Sequence, residues 1–400
     1  MTEIKPFPPA FRRFFYFNID SPVAGGFILY LIEQQYAVVK CKRGIHVERI
    51  LAINPGATST KIAVFDGDAA VMKKTLEHQG TELKGFARVF DQYPYRIELI
   101  RRELMEAGIP LESLSAVVGR GGLLKPLPGG TYRVNEAMEH DMQKAERGEH
   151  ASNLGPVIAY ELAGQLNIPA FIVDPVSVDE LEPVARISGS PWFERVSMTH
   201  ALNMKAVARK VAAELGKKYT EANLVVAHLG TGVSLSVHSG GRMIDMVDGK
   251  DEGPFAPDRC GGVPSSQLVK LCFSGKYTLQ EVRDGLFGSG GLYGYLGTKD
   301  IRQVKKMADE GNEKAALLLE ALSYQVAKYI AAMASVLKGK VDRIVLTGGM
   351  AYAPYLVEAI IDRVGFIAPV TVVPGEEELE SLAAGALRVL RHQEEPHEYK

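Results

Sequence analysis

Two glycine-centred strand–turn–strand segments, 174 residues apart, constrain this chain most. The first runs Ile50-Leu51-Ala52-Ile53-Asn54-Pro55-Gly56-Ala57-Thr58-Ser59-Thr60-Lys61-Ile62-Ala63-Val64. The second runs Leu224-Val225-Val226-Ala227-His228-Leu229-Gly230-Thr231-Gly232-Val233-Ser234-Leu235-Ser236-Val237. In each, an apolar strand enters a turn of small and hydroxyl residues and returns as a second strand. An internal repeat at this spacing predicts two similar domains facing each other. A glycine turn at a strand end lets backbone N–H groups approach a phosphate, because no Cβ stands in the way. Two such turns, one per domain, predict a nucleotide held in the cleft between them.

The length supports this reading, since 400 residues exceed what one hydrophobic core holds well and suit two domains. A net charge of −2 gives no reason to expect nucleic acid or an anionic membrane as partner. The cysteines Cys41, Cys260 and Cys272 are odd in number and lack zinc-ligand spacing, which points to a reducing cytoplasm. Residues 1–48 differ from the rest. Phe11 to Phe17 is aromatic and basic, and the apolar run Phe27 to Ile32 is too short to span a bilayer. A signal peptide is the alternative there, but Asp20 and the missing cleavage pattern argue against it. The segment is expected to be a poorly ordered extension, or to reflect a start assigned too far upstream.

From residue 50 onward strands alternate with helices. Ala116–Val118, Ala170–Val173, Leu224–Val226, Arg343–Leu346 and Val370–Val373 read as buried strands. Pro94–Ala107, Ala201–Leu215, Glu313–Leu337 and Glu380–Arg391 read as helices, and Gly285 to Gly297 as a loop. The stripe Leu318, Leu322, Val326, Ile330 and Leu337 marks a core helix rather than a membrane span, because Glu320, Gln325 and Lys328 interrupt it. A Rossmann or P-loop unit passes from its glycine turn into a helix. Here the chain returns as the strand Ile62–Phe65, and no G-x-x-x-x-G-K-[ST] string occurs, so both nucleotide folds are unlikely matches.

These hairpins and the late turn Leu346-Thr347-Gly348-Gly349-Met350 resemble the sugar kinase, heat-shock-70 and actin superfamily. Within it, Asn54 to Lys61, Gly119-Arg120-Gly121-Gly122 and Ala227 to Gly232 resemble the acetate and butyrate kinases. His150-Ala151-Ser152-Asn153-Leu154-Gly155-Pro156, Val173-Asp174-Pro175-Val176, Glu252-Gly253-Pro254-Phe255 and Asp258-Arg259-Cys260-Gly261-Gly262 resemble the butyrate branch. The resemblance covers about residues 49–391. It implies an α/β fold of two duplicated ribonuclease-H-like (actin-like ATPase) domains with an interdomain cleft. The first is expected over 49–176 plus 376–394 and the second over 177–375.

The resemblance also implies reversible transfer of the γ-phosphoryl group of ATP to a short-chain carboxylate, with Mg²⁺. Such a transfer needs the acceptor in line and positive charge around the migrating group. Arginine suits both tasks. By resemblance Arg120 orients the carboxylate or γ-phosphate, Arg259 stabilises the migrating phosphoryl group, and Asn54 and His200 contact it. Asp174 is implied at the magnesium ion through water, since Mg²⁺ keeps much of its shell, and Glu377 also, with the register within Glu376-Glu377-Glu378 open by one. Lys61 shapes the first turn. His228, Gly230, Thr231 and Gly232 are implied at the ATP phosphates, and Asp300, Arg302, Gly348, Gly349 and Met350 near the adenosine. His150 is implied near the acceptor. Gly122 and Thr199 stand where acetate kinases carry larger residues, which predicts room for a four-carbon acid such as butyrate. Cys260 stands where butyrate kinases tend to have serine, a departure that adds a thiol beside Arg259. A homo-oligomer, a dimer or larger, is the expected assembly. The alternatives are an acetate, propionate or branched-chain carboxylate kinase, a sugar kinase, or an ATP-gated scaffold of the actin or chaperone kind. A sugar kinase needs a catalytic base for its hydroxyl, whereas a carboxylate is already ionised.

Overall fold

The structure, a computed structural model, describes residues 47–400. The extension expected over 1–48 therefore lies almost wholly outside the described residues.

The strands, in chain order, are β1 Arg49–Pro55, β2 Ser59–Asp66, β3 Ala69–Glu77, β4 Ala116–Arg120, β5 Thr131–Arg133 and β6 Ala170–Val173. They continue as β7 Leu224–Leu229, β8 Val233–Ser239, β9 Arg242–Asp248, β10 Arg343–Gly348, β11 Val370–Pro374 and β12 His397–Glu398. The longer helices are α1 Tyr93–Glu106, α2 Glu136–Lys144, α3 Leu154–Leu166, α4 Ala201–Glu214, α5 Ser265–Cys272 and α6 Leu279–Leu286. After them come α7 Gly291–Leu296, α8 Ile301–Asp309, α9 Glu313–Val336, α10 Pro354–Val364 and α11 Glu378–Leu390. All five expected strands and all four expected helices form, with boundaries shifted by at most three residues. The expected loop Gly285–Gly297 is instead partly helical, because α6 and α7 enter it.

Two mixed sheets organise these elements. The first has the order β12-β5-β6-β4-β1-β2-β3 and the second β11-β10-β7-β8-β9. The run β6-β4-β1-β2-β3 repeats as β11-β10-β7-β8-β9: an antiparallel three-strand meander followed by two parallel strands. The duplication read from the two hairpins is thus a duplication of whole sheets. Both meanders are built alike because apolar residues fill both faces of β1 and β7, as a central strand requires.

Helix α9 covers the outer face of the second sheet, with Leu318, Leu322, Val326 and Ile330 in its core. Helix α11 covers one face of the first sheet through Leu382, Ala383, Ala386 and Leu387. Helix α4 packs on β7, β10 and α11, and its Met204, Val207 and Val211 share a core with Ile53, Leu154 and Leu224. One apolar cluster therefore reaches both sheets through α4. Among the described residues no helix is long and apolar enough to cross a membrane.

Parallel pairing sets the site. Ile53 faces Gly119 across β1 and β4, so Asn54 and Arg120 leave the sheet side by side. Thr347 faces His228 across β7 and β10. Glycine makes these approaches possible. A Cβ on Gly119 would lie 2.1 Å from the Gly155 carbonyl oxygen, which seats α3 directly on β4 beneath Arg120. Gly119→Ala should therefore cost about 2–3 kcal/mol through overpacking. A fall in the urea midpoint at unchanged slope checks this, and an unchanged midpoint would contradict the tight seat.

Candidate active site

A cavity of about 440 Å³ opens where the ends of the two sheets meet. Its wall carries the cations Arg120, Arg259, Arg283 and Lys250, the imidazoles His150 and His200, and the acid Asp248. Leu123, Val176, Met198 and Phe287 supply an apolar side. The lining thus combines positive charge with apolar surface in one cavity.

Two acids facing cleft residues come from the start of α11 and the turn before it. Glu378 lies 2.7 Å from the Arg120 guanidinium and accepts a hydrogen bond from the Asn54 amide. Arg120 also lies 3.5 Å from the Asn54 oxygen. Glu376 lies 3.3 Å from His228 Nε2, and its carboxyl is held below the usual range by the neighbouring His228 first and then by the charges of Arg120 and Lys61. Between them Glu377 takes a left-handed backbone, φ 38°, and is exposed. The kink turns Glu376 and Glu378 toward the cleft residues and Glu377 away. Within the register left open by one, the acids that contact cleft residues are thus Glu376 and Glu378.

His200 and His228 stack, with ring centres 3.9 Å apart. Helix α4 organises them. His200 caps its start, and Asn203, one turn on, accepts from His228 Nδ1 at 2.8 Å. The Asn203 amide donates to the carbonyls of Gly375 and Glu376, which orients its oxygen toward the histidine. His228 Nε2 is buried and free of a well-aligned hydrogen bond. Ser234 Oγ stands 2.9 Å from His200 Nδ1. Burial first, then the charges of His228, Arg259 and Arg120, push His200 well below the ordinary imidazole value. His150 caps a short turn, bonded to Ser152, and burial together with Arg120 lowers it too. Thr199 is buried on the same wall, its hydroxyl unpartnered.

Arg259 lies against the second glycine turn. A Cβ on Gly232 would stand 2.5 Å from its guanidinium, and the Gly230 amide closes the turn onto the Gly232 carbonyl at 3.2 Å. Thr231 is exposed at the tip. Gly348, φ 88°, leaves no room for a side chain beside Leu229, whereas Gly349 faces open space. Lys61 is exposed and pairs in register with Asn54.

Five of the expected site residues make other contacts in this geometry. Gly122 is buried against Asn153 and Met142, and a Cβ there would stand 2.5 Å from the Asn153 side-chain oxygen. Its lack of a side chain serves packing, and Leu123 lines the cavity instead. Met350 is 6% exposed and packs in the second core rather than facing a ligand. Asp300 and Arg302 grip each other at the start of α8, and their contacts do not reach the cleft cations. Asp174 is enclosed: one oxygen accepts from Arg209 at 2.8 Å and the other from the Gly130 amide at 2.7 Å. Burial would raise its carboxyl, but Arg209 and Lys205 hold it below the usual range. With both oxygens taken by fixed donors it does not fit as a direct metal ligand, and the resemblance implies a contact with the metal through water only.

Among the described residues no group of three or more His, Cys, Asp or Glu side chains is arranged around a common ion. Mg²⁺ beside a nucleotide is commonly held by one or two carboxylates and phosphate oxygens. Glu376 and Glu378 fit that smaller requirement. The sequence reading left the register among these glutamates open by one, and it missed Asn203, Ser234, Lys250, Arg283 and Phe287. Asn203 had a usable signal, its helical spacing of three from His200.

Three histidines are kept neutral by their surroundings: His78 is pushed down to about 4, and His200 and His238 well below the ordinary value, each chiefly by burial. Their unfolded values lie near 6.5, so below that pH the unfolded chain binds more protons and stability falls as pH falls. Each contributes up to about 1.4 kcal/mol per pH unit below 6.5. Denaturant titrations at pH 7.5, 6.0 and 5.0 should show a steepening loss. A flat profile would mean that these rings are already charged in the folded state.

Residues 195–368 match the Acetokinase family. Among solved structures, the acetate kinase of Porphyromonas gingivalis is 19% identical, with a TM-score of 0.70 over 85% of this chain and 99% of that one. A propionate kinase from Francisella tularensis subsp. tularensis is 19% identical, with a TM-score of 0.68 over 84% and 98%. The acetate kinase of Entamoeba histolytica is 18% identical, at 0.67 over 84% and 98%. The second half of the chain is thus acetokinase-like in sequence, and the chain as a whole shares the α/β actin-like ATPase fold of these kinases.

Proposed function

We propose that this protein transfers the γ-phosphoryl group of ATP to a short-chain carboxylate, giving an acyl phosphate and ADP, and that it favours a four-carbon acid such as butyrate. The observation that carries the reading is the cleft wall, where Arg120, Arg259, Arg283 and Lys250 face the same cavity as Leu123, Val176, Met198 and Phe287. The cations suit the carboxylate head and the migrating phosphoryl group, and the apolar side suits the alkyl tail.

In the reaction a carboxylate oxygen attacks the γ-phosphorus in line. The new O–P bond forms as the bond to the β-phosphate oxygen breaks, and ADP carries the electron pair away. No base is needed, because the acceptor is ionised at neutral pH. Arg120, already beside Asn54, steers the carboxylate, and Arg259 stabilises charge on the equatorial oxygens. His200 Nε2 donates to the same oxygens when its Nδ1 accepts from Ser234. The turn Gly230–Gly232, with His228, holds the nucleotide phosphates, and Gly349 leaves room for the nucleoside. Mg²⁺, held by Glu376 or Glu378 and the phosphates, would neutralise charge on the nucleotide.

Acyl hydroxamate formation from ATP with acetate, propionate, butyrate, isobutyrate and valerate in parallel tests the reading. Each methylene placed on the apolar wall is worth about 0.8 kcal/mol, so butyrate should exceed acetate in kcat/KM by roughly tenfold or more. In the same assay Arg259→Ala should lose on the order of 10³ in kcat with little change in the KM for ATP. Preference for acetate would contradict the substrate assignment, and no hydroxamate from any acid would contradict the activity.

A further inference from the structure

Helix α1 buries an arginine that has no counter-ion among the described residues. Arg96 is 1% exposed and among the largest fully enclosed side chains. Its Nη1 donates to the Gly56 carbonyl at 2.9 Å, the Ser59 carbonyl at 3.2 Å and Thr60 Oγ1 at 3.0 Å. Its Nη2 donates to Gln92 at 2.8 Å, and its Nε is buried without a partner. Every acceptor is neutral, and no carboxylate bonds it among the described residues. Other enclosed cations contrast with it: Arg209 has Asp174, Lys205 has Glu180, and Arg195 has Asp245 and Glu252. A buried charge without a partner is costly and is ordinarily avoided. Burial lowers Arg96 to about 10, and neighbouring His78, bonded to Thr60, is kept neutral beside it.

The place of this charge gives it meaning. It lies directly beneath the first glycine turn, holding the carbonyls of Gly56 and Ser59. In a trans peptide the Ala57 N–H points opposite the Gly56 carbonyl, so a grip on that carbonyl turns the N–H away from Arg96. Ala57 is exposed, and its amide makes no backbone hydrogen bond. The turn therefore presents an outward donor with a fixed positive charge behind it, next to Asn54.

We propose that Arg96 is a built-in countercharge for a phosphoryl anion seated on the Gly56–Thr60 turn, an inference that rests on the phosphoryl-transfer reading. Arg96 acts through the turn without touching the ligand and is a positioning residue. The shared ligand chemistry is a terminal phosphoryl group, whether of ATP, of an acyl phosphate or of inorganic phosphate. ADP, which lacks that group and engages the second turn, should be nearly indifferent to Arg96.

Thermal unfolding and calorimetric titration of the whole chain, wild type and Arg96→Met, with inorganic phosphate, acetyl phosphate, ADP and ATP test this. The wild type should be stabilised by all four. Arg96→Met should bind phosphate, acetyl phosphate and ATP at least tenfold more weakly while keeping ADP within twofold. Equal losses for ADP and ATP, or a lowered melting temperature with unchanged anion affinities, would overturn the proposal and leave Arg96 a structural clamp. If Arg96→Met does not fold, Arg96→Lys decides. It keeps the charge, so phosphate affinity should stay within about threefold of wild type, and a tenfold loss would overturn the proposal. A wild type that no phosphoryl anion stabilises would overturn the phosphoryl-transfer reading itself and the role of Arg96 with it.

Discussion

The structure depends on how helix α4 is fixed between the two sheets. Its first turn presents His200, and Asn203 one turn on holds His228 and the backbone of Glu376. Its remaining length is tied to the first sheet by enclosed ion pairs. Arg209 meets Asp174 at the end of β6, and Lys205 meets Glu180, whose carboxylate also accepts from the amides of Gly129 and Met243. Glu180 therefore touches the first sheet's loop, α4 and the second sheet at once. Breaking such a pair on one side leaves a bare buried charge, which typically costs about 3–5 kcal/mol. That penalty makes the position of α4 close to all-or-none, and the histidine stack inherits its precision.

The chemistry follows from this fixed frame. Cations come to the cavity from both halves, Arg120 from β4 and Arg259 from the loop beside the second glycine turn. A carboxylate acceptor and a phosphoryl group are both anions, and bringing them together is the main electrostatic obstacle to the proposed reaction. Positive charge on opposing walls lowers that obstacle without any base. Glu376 and Glu378 temper the same field, since each already contacts a cleft group, His228 or Arg120.

What the sequence disclosed was whatever local geometry dictates. The turns at Gly56 and Gly230 were legible because a strand that reverses through glycine has few other conformations. The arginines at 120 and 259 were legible from short strings around them. The positions that the sequence left undecided share a different cause. The register among Glu376, Glu377 and Glu378 stayed open because only a left-handed φ at Glu377 decides which acid faces the cleft. Gly122 looked like vacated pocket space, but Asn153 and Met142, distant in sequence, fill that space. The structural partner of Asp174, Arg209, lies 35 residues away on α4 and leaves no mark in the local sequence. Arg96 carries no local mark at all among the other arginines of α1. Each of these depends on a pairing that only the folded chain creates.

The claim that Asp174 belongs to the joint of α4 and not to a metal is tested most directly by a double-mutant cycle of Asp174→Asn and Arg209→Met, read by denaturant unfolding and by Mn²⁺ binding in the presence of ADP. The account predicts that each single change is strongly destabilising, that the pair is coupled by about 2–3 kcal/mol, and that Mn²⁺ affinity stays within twofold throughout. Additive losses, together with a tenfold drop in Mn²⁺ affinity confined to Asp174→Asn, would contradict it.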